Sequence, residues 1–222
     1  MALNSLALPT PADARRLPAF SPGMTIGLFG GSFNPPHEGH RHASLVAMTR
    51  LGLDRIWWLV TPGNPLKPLT GLAALNARIE AARRLDVGPR VVVADIEAQI
   101  GSRFTYDTLR WLKRRAPGVH FVWIMGADNL RQFHLWSHWR AIADLAPIVV
   151  VDRPGSTLKA ISSPAGATLA RWRVPERDAS GFASMKPPAL LFLHGPRSGL
   201  SSTALRSVRE PHEATPARSD FV

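Results

Sequence analysis

From Thr25 onward the chain alternates short β-branched or aromatic runs with longer helical patterns. That alternation points to one architecture, a parallel sheet whose strands are joined by crossover helices. The first strand is expected from Thr25 to Gly30, a helix from Glu38 to Leu51 ended by Gly52, and a second strand from Arg55 to Thr61. A Pro/Gly/Asn loop from Pro62 to Thr70 leads into an Ala/Arg/Leu helix through Leu85 and a strand from Arg90 to Ala94. Tyr106 to Arg115 reads as a helix, Val119 to Met125, Pro147 to Val151 and Ala189 to His194 as further strands, and Ser201 to Glu210 as a closing helix. Right-handed crossovers then give an α/β fold, a Rossmann-like doubly wound parallel sheet with helices on both faces. The stretch from Gly155 to Pro188, rich in Pro, Ser, Gly and Ala, has no convincing period and is expected to be a variable excursion with little regular structure.

The length, 222 residues with 45% hydrophobic content, suits one substantial core. A single domain is expected over residues 23–210, with a flexible extension over 1–22 and a flexible tail over 211–222. Without cysteine the chain can form no disulfide, thiolate zinc site or thiol nucleophile, and a reducing, cytoplasmic setting is expected. The N-terminus does not read as a secretory signal, and no run approaches the roughly 18 to 20 apolar residues of a spanning helix, so no membrane partner is expected. A formal charge of +11 favours polyanionic partners, either nucleotides or nucleic acid, without choosing between them.

The choice comes from Gly27-Leu-Phe-Gly-Gly-Ser-Phe-Asn-Pro-Pro-His-Glu-Gly-His40, which leaves the first strand and enters the first helix. Gly30 and Gly31 allow backbone to approach a phosphate, and the start of the helix directs free N–H groups and the positive end of its dipole to the same place. His37 and His40, three residues apart on the first turn, can both face those phosphates across Gly39. A lone histidine there would more simply cap or pack; the pair within this glycine- and proline-rich setting favours an anion site. Seven tryptophans are present. Trp57, Trp58 and Trp123 fall on strands and read as core, whereas Trp136 lies in a polar stretch beyond a strand's carboxyl end and reads as a ligand contact.

Gly30 to His40 resembles the HxGH signature of the Rossmann-like nucleotidyltransferases and is most similar to that of the bacterial nicotinate mononucleotide adenylyltransferases. Gly199-Leu-Ser-Ser-Thr-Ala-Leu-Arg206 is similar to the second signature of that superfamily, with leucine in place of two isoleucines. The likeness also takes in Asn64 to Pro68 with Lys67, Arg78, Phe104 to Leu109, Gly126 to Asp128, Phe133 to Trp136 and Asp152 to Gly155. The tail from Ser207 to Val222 lacks the further helix that relatives carry, which bears on C-terminal packing and leaves the oligomeric state open.

The resemblance implies a transfer of the adenylyl group from ATP to nicotinate mononucleotide. It places His37, His40, Lys67 and Arg206 as the charge-stabilising catalytic set. It gives ATP and its phosphates Gly30, Gly31, Ser32, Phe33, Gly39, Ser201, Ser202, Thr203 and Arg206, with the three hydroxyl residues also able to cap a helix start. Nicotinate mononucleotide would be held by Phe104, Thr105, Tyr106, Asp128, Trp136 and Arg153. Magnesium is expected to arrive on the ATP phosphates, with no protein metal cage and no nucleic-acid partner. Two other readings remain open: a sister enzyme such as a phosphopantetheine adenylyltransferase or a cytidylyltransferase, and a basic nucleic-acid-binding protein that kept the fold without turnover.

Overall fold

The computed structural model describes residues 16–151 and 157–194. Its centre is one seven-stranded sheet of β1 (Thr25–Gly31), β2 (Arg55–Val60), β3 (Val91–Ala94), β4 (His120–Gly126), β5 (Ile148–Val151), β6 (Arg173–Val174) and β7 (Leu190–Leu193). The strands run in the order β3-β2-β1-β4-β5-β7-β6, and every neighbouring pair is parallel. The helices are α1 (Glu38–Leu51), α2 (Leu75–Arg84), α3 (Ile96–Gln99), α4 (Thr105–Arg115), α5 (Ala127–Gln132), α6 (Trp139–Leu145), α7 (Thr157–Ile161) and α8 (Pro164–Leu169), with 3-10 turns at Phe133–Leu135, Ala170–Trp172 and Glu176–Ser184. The α/β doubly wound class expected from the alternation is thus the observed one.

Each strand feeds two cores, because successive side chains leave a strand on opposite faces. Ile26, Leu28, Trp57, Leu59, Trp123, Met125 and Val150 pack with α4, α5, α6 and α8 on one face. Phe29, Ile56, Trp58, Val60, Ile124, Val149 and Leu191 pack with α1, α2 and the Glu176–Ser184 turn on the other. Sheet strands buried on both faces read as continuous apolar runs, which explains Arg-Ile-Trp-Trp-Leu-Val in β2. Trp57 and Trp58 are both fully buried, one in each core.

The segment expected to be irregular is not. Among its described residues it carries α7, α8, further 3-10 turns and the edge strand β6. Ser163 caps α8 by accepting from the Gly166 N–H at 3.1 Å, with Pro164 opening the helix. These elements are two to nine residues long, too short for a 3.6-residue period to show. The last residues of the expected N-terminal extension lie against the core: Leu17 and Phe20 pack on it, the Phe20 ring meets Trp57 edge-on at 6.2 Å, and the Arg16 carbonyl accepts from Gln99.

Candidate active site

The chain leaves β1 toward one face of the sheet and leaves the adjacent β4 toward the other. At such a switch point the two connections part and open a crevice at the carboxyl ends of the strands, where open α/β sheets bind ligands. β1 delivers Gly30, Gly31 and the start of α1 to this place, and β4 delivers Gly126 and the exposed Asp128.

The start of α1 is a capping box made entirely of histidine. His37 is the N-cap, and its Nδ1 accepts from the Gly39 N–H at 3.0 Å. His40 reaches back, its Nδ1 accepting from the His37 N–H at 3.2 Å. A box normally pairs Ser or Thr with Glu or Gln. Here the same geometry commits Nδ1 of both rings as acceptors, so each neutral imidazole carries its proton on Nε2. The two rings are buried and tilted against each other, centroids 3.9 Å apart. The capping role and the phosphate role weighed from sequence are therefore compatible: the cap fixes which nitrogen is the donor.

Beneath the box lies Phe33, fully buried, with φ 46°. That left-handed backbone is strained for an aromatic residue and turns the chain sharply between β1 and α1. Its ring stacks on Trp58 at 4.9 Å and lies 4.7 Å from the His40 ring. Of Phe33 only the main chain can meet a ligand, since the side chain is the floor on which His40 rests. The glycines gain a second reason. A Cβ on Gly30 would sit 2.8 Å from the buried Trp123 ring, and one on Gly31 would sit 3.3 Å from Phe33. Gly30 is thus demanded by packing even before any phosphate is considered.

Around this turn three loops are tied together. Asn34 donates to the Gly71 carbonyl at 2.9 Å and accepts from the Ala73 N–H at 3.4 Å. Arg78, buried in α2, donates to the carbonyls of Ser32, Thr61 and Ala73 at 2.7 to 2.8 Å. Lys67 rides on the loop so held, exposed, with its own backbone N–H turned onto Asn64.

The acceptor end is built differently. Phe104, half-exposed, is the N-cap residue of α4, and Thr105 and Tyr106 open that helix. The Tyr106 ring lies 4.8 Å from His138, which begins α6 in a left-handed conformation at φ 54°. Trp136 is half-buried, edge-on to Trp123 at 6.3 Å and to Phe133 at 5.3 Å. Trp123 therefore touches both halves, holding Gly30 on one side and Trp136 on the other. Ser201, Ser202, Thr203 and Arg206, together with Arg153, lie outside the described residues.

One residue escapes a reading of the sequence. Glu97, on α3, is 4% exposed, with Oε2 left without a hydrogen-bond partner. Burial pushes its carboxyl up to about 7, partly opposed by a hydrogen bond from Thr61. It lines a cleft of about 760 Å³ between α3 and α4, shared with Arg103, Phe104, Arg110, Trp111 and Arg114. A lone glutamate in a four-residue helix carries no pattern that would mark it. Among the described residues no group of three His, Asp or Glu side chains is placed to hold a metal ion, and no helix is long and apolar enough to cross a membrane.

The family model described as cytidylyltransferase-like matches residues 28–208. The chain is 58% identical over 184 residues to a "Probable nicotinate-nucleotide adenylyltransferase" of Methylorubrum extorquens, spanning 83% of this chain and 100% of that one. It is 53% identical to the protein of the same name from Agrobacterium fabrum, spanning 83% and 98%. Among solved structures, the Plasmodium falciparum nicotinic acid mononucleotide adenylyltransferase complexed with APC superposes with a TM-score of 0.60 over 83% of each chain at 16% identity, a likeness of fold. With the family model covering residues 28–208 and relatives of this identity matched along nearly their whole length, the chain belongs to the nicotinate-nucleotide adenylyltransferase family of cytidylyltransferase-like proteins.

Proposed function

We propose that the chain transfers the adenylyl group of ATP to nicotinate mononucleotide, forming nicotinate adenine dinucleotide and releasing pyrophosphate. The observation that carries this reading is the histidine capping box at the β1/β4 switch point, two buried imidazoles with Nδ1 engaged and Nε2–H as the donor. A phosphate oxygen of the mononucleotide forms the new bond to the α-phosphorus of ATP, the bond from that phosphorus to the bridging oxygen breaks, and the electron pair leaves with pyrophosphate. The attacking oxygen is already anionic, so no side-chain base is needed. The work left to the protein is alignment and stabilisation of charge.

The Nε2–H groups of His37 and His40 donate to the α-phosphate and to the bridging oxygen as negative charge develops there. The backbone of Gly30 to Phe33 and the start of α1 receive the phosphates, and Lys67 and Arg206 neutralise the leaving pyrophosphate. Ser201, Ser202 and Thr203 complete the phosphate clamp. Magnesium enters as part of the substrate, MgATP. On the acceptor side Trp136 stacks on the pyridine ring, N–H groups at the start of α4 near Thr105 take the nicotinate carboxylate, and Phe104, Tyr106, Asp128 and Arg153 complete the site. The crevice at the switch point suits small nucleotides rather than nucleic acid, the +11 charge suits their polyphosphates, and a cytoplasmic location goes with this reading.

The test is pyrophosphate release with MgATP against a panel of nicotinate mononucleotide, nicotinamide mononucleotide and phosphopantetheine. Turnover is expected with the first and strongly reduced with the others. Turnover with phosphopantetheine alone would move the chain to the sister enzymes, and salt-sensitive DNA retention without pyrophosphate release would favour a binding protein.

A further inference from the structure

Among the described residues Arg78 is the only lysine or arginine that is buried, at 2% exposed. Its guanidinium donates solely to main-chain carbonyls: Nε to Ala73 at 2.8 Å, Nη1 to Ser32 at 2.7 Å and to Thr61 at 2.8 Å, Nη2 to Pro62 at 3.5 Å. No described carboxylate forms an ion pair with it. Carbonyl oxygens satisfy the donors but do not cancel a unit charge, and a buried charge without a counter-ion is costly. Glu97, the other buried ionisable group nearby through Thr61, is itself pushed toward its neutral form by burial.

The four carbonyls are not scattered. Ser32 follows the Gly30–Gly31 pair, Thr61 and Pro62 follow directly on β2, and Ala73 closes the loop that carries Lys67. The Thr61 N–H also donates to the Gly31 carbonyl at 3.0 Å. One side chain therefore sets the relative position of the Ser32 turn, the end of β2 and the Lys67 loop. An arginine fork can span divergent acceptors in this way, whereas a lysine ammonium cannot.

We propose that Arg78 is a positioning residue whose counter-ion is the polyphosphate of the substrate. It keeps those three segments in one register, and it places an uncompensated positive charge behind the site where phosphates bind. The empty protein carries the cost of that charge, and polyphosphate binding relieves it. This rests on the phosphate-site reading above.

The test uses the full chain as wild type, Arg78→Lys and Arg78→Met, and measures magnesium pyrophosphate affinity by calorimetry, thermal midpoint without ligand, and kcat and KM per folded molecule. Wild type binds pyrophosphate. Arg78→Met is expected to weaken that affinity at least tenfold and to raise KM for ATP, leaving KM for the acceptor within about twofold. Arg78→Lys, which keeps the charge and loses the fork, is expected to keep most of the pyrophosphate affinity while kcat falls about tenfold. A lower midpoint with unchanged pyrophosphate affinity and kcat in both variants would show a strut and overturn the role. Should Arg78→Met not fold, unchanged kcat in Arg78→Lys is enough to overturn it. Failure of wild type to bind pyrophosphate removes the phosphate-site reading itself, and the role with it.

Discussion

The two ends of the crevice are made by different means. The phosphate end, Gly30 to His40, is one continuous stretch in which Phe33, His37, Gly39 and His40 are buried, and its histidines are fixed by main-chain hydrogen bonds in a locked helix cap. The acceptor end gathers Phe104, Tyr106, Trp136 and His138 from the start of α4 and from the turn between α5 and α6, all partly exposed, with Tyr106 against His138 and Trp136 edge-on to Phe133. A phosphate presents the same charge and shape in every nucleotide, so rigid preorganised donors suit it. A heterocycle differs between acceptors, and side chains standing on separate elements can be exchanged without disturbing the sheet. The chemistry should therefore be brittle at the first end and specificity adjustable at the second.

The harshest break of that contrast is His40→Ala. It removes a donor used as charge develops, and turnover should fall by about two to three orders of magnitude. It also opens the capping box, which costs about 1 kcal/mol, so a folded but inactive protein is expected by circular dichroism and steady-state kinetics. Near-normal turnover in folded His40→Ala would sink the phosphate role.

Gly30→Ala attacks the same end through packing. Its new Cβ would press on the Trp123 ring, and about 1 to 3 kcal/mol of stability should be lost in denaturant melts. Because Trp123 also supports Trp136, the acceptor KM should rise along with it. An unchanged melting curve would mean the turn is looser than described.

At the acceptor end, Trp136→Ala should raise KM for both nicotinate and nicotinamide mononucleotide about tenfold, the upper range for ring stacking, and leave KM for ATP unchanged. The wild type should prefer the nicotinate form by at least about tenfold. A carboxylate takes charge-assisted bonds from N–H groups, whereas a carboxamide turned the wrong way leaves a donor unpaired at about 1 to 3 kcal/mol. Equal specificity constants for the two acceptors would undo the nicotinate assignment.

The mildest probe is Glu97→Gln, read in stability. Burial holds this carboxyl protonated in the folded state up to about 7, while in the unfolded chain it ionises in the ordinary carboxylate range. The unfolded state alone loses the proton between those limits, so the Glu97 contribution to stability is complete in acid and declines as pH rises to about 7. Glu97→Gln should flatten that decline, and thermal melts from about pH 4.5 to 8 will show it. A wild-type midpoint that rises through this window in step with the variant would contradict the assignment.

This contrast also sets what can be read from the chain. The sheet and α1 are legible because doubly buried strands and a capped 14-residue helix leave long local patterns. His37 and His40 are legible because their partners lie within three residues. Trp136 can be flagged from its polar surroundings, but its contacts with Trp123 and Phe133 depend on the tertiary fold. Arg78 reaches Ser32, 46 positions away, and Glu97 sits in a four-residue helix, so neither the bonds of the one nor the burial of the other leaves a trace in spacing. The compact pieces between Thr157 and Ser184 escape for the same reason, being short and set by their neighbours rather than by period.

The most direct measurement is a long-range nitrogen–proton NMR spectrum of the imidazoles, recorded at a pH where they are neutral and assigned with His37→Gln and His40→Gln. Both His37 and His40 are predicted to appear as the Nε2–H tautomer in the free protein, and to remain so when magnesium pyrophosphate is added. A resonance pattern showing Nδ1–H on either ring would contradict the histidine capping box and, with it, the donors on which the transfer is built.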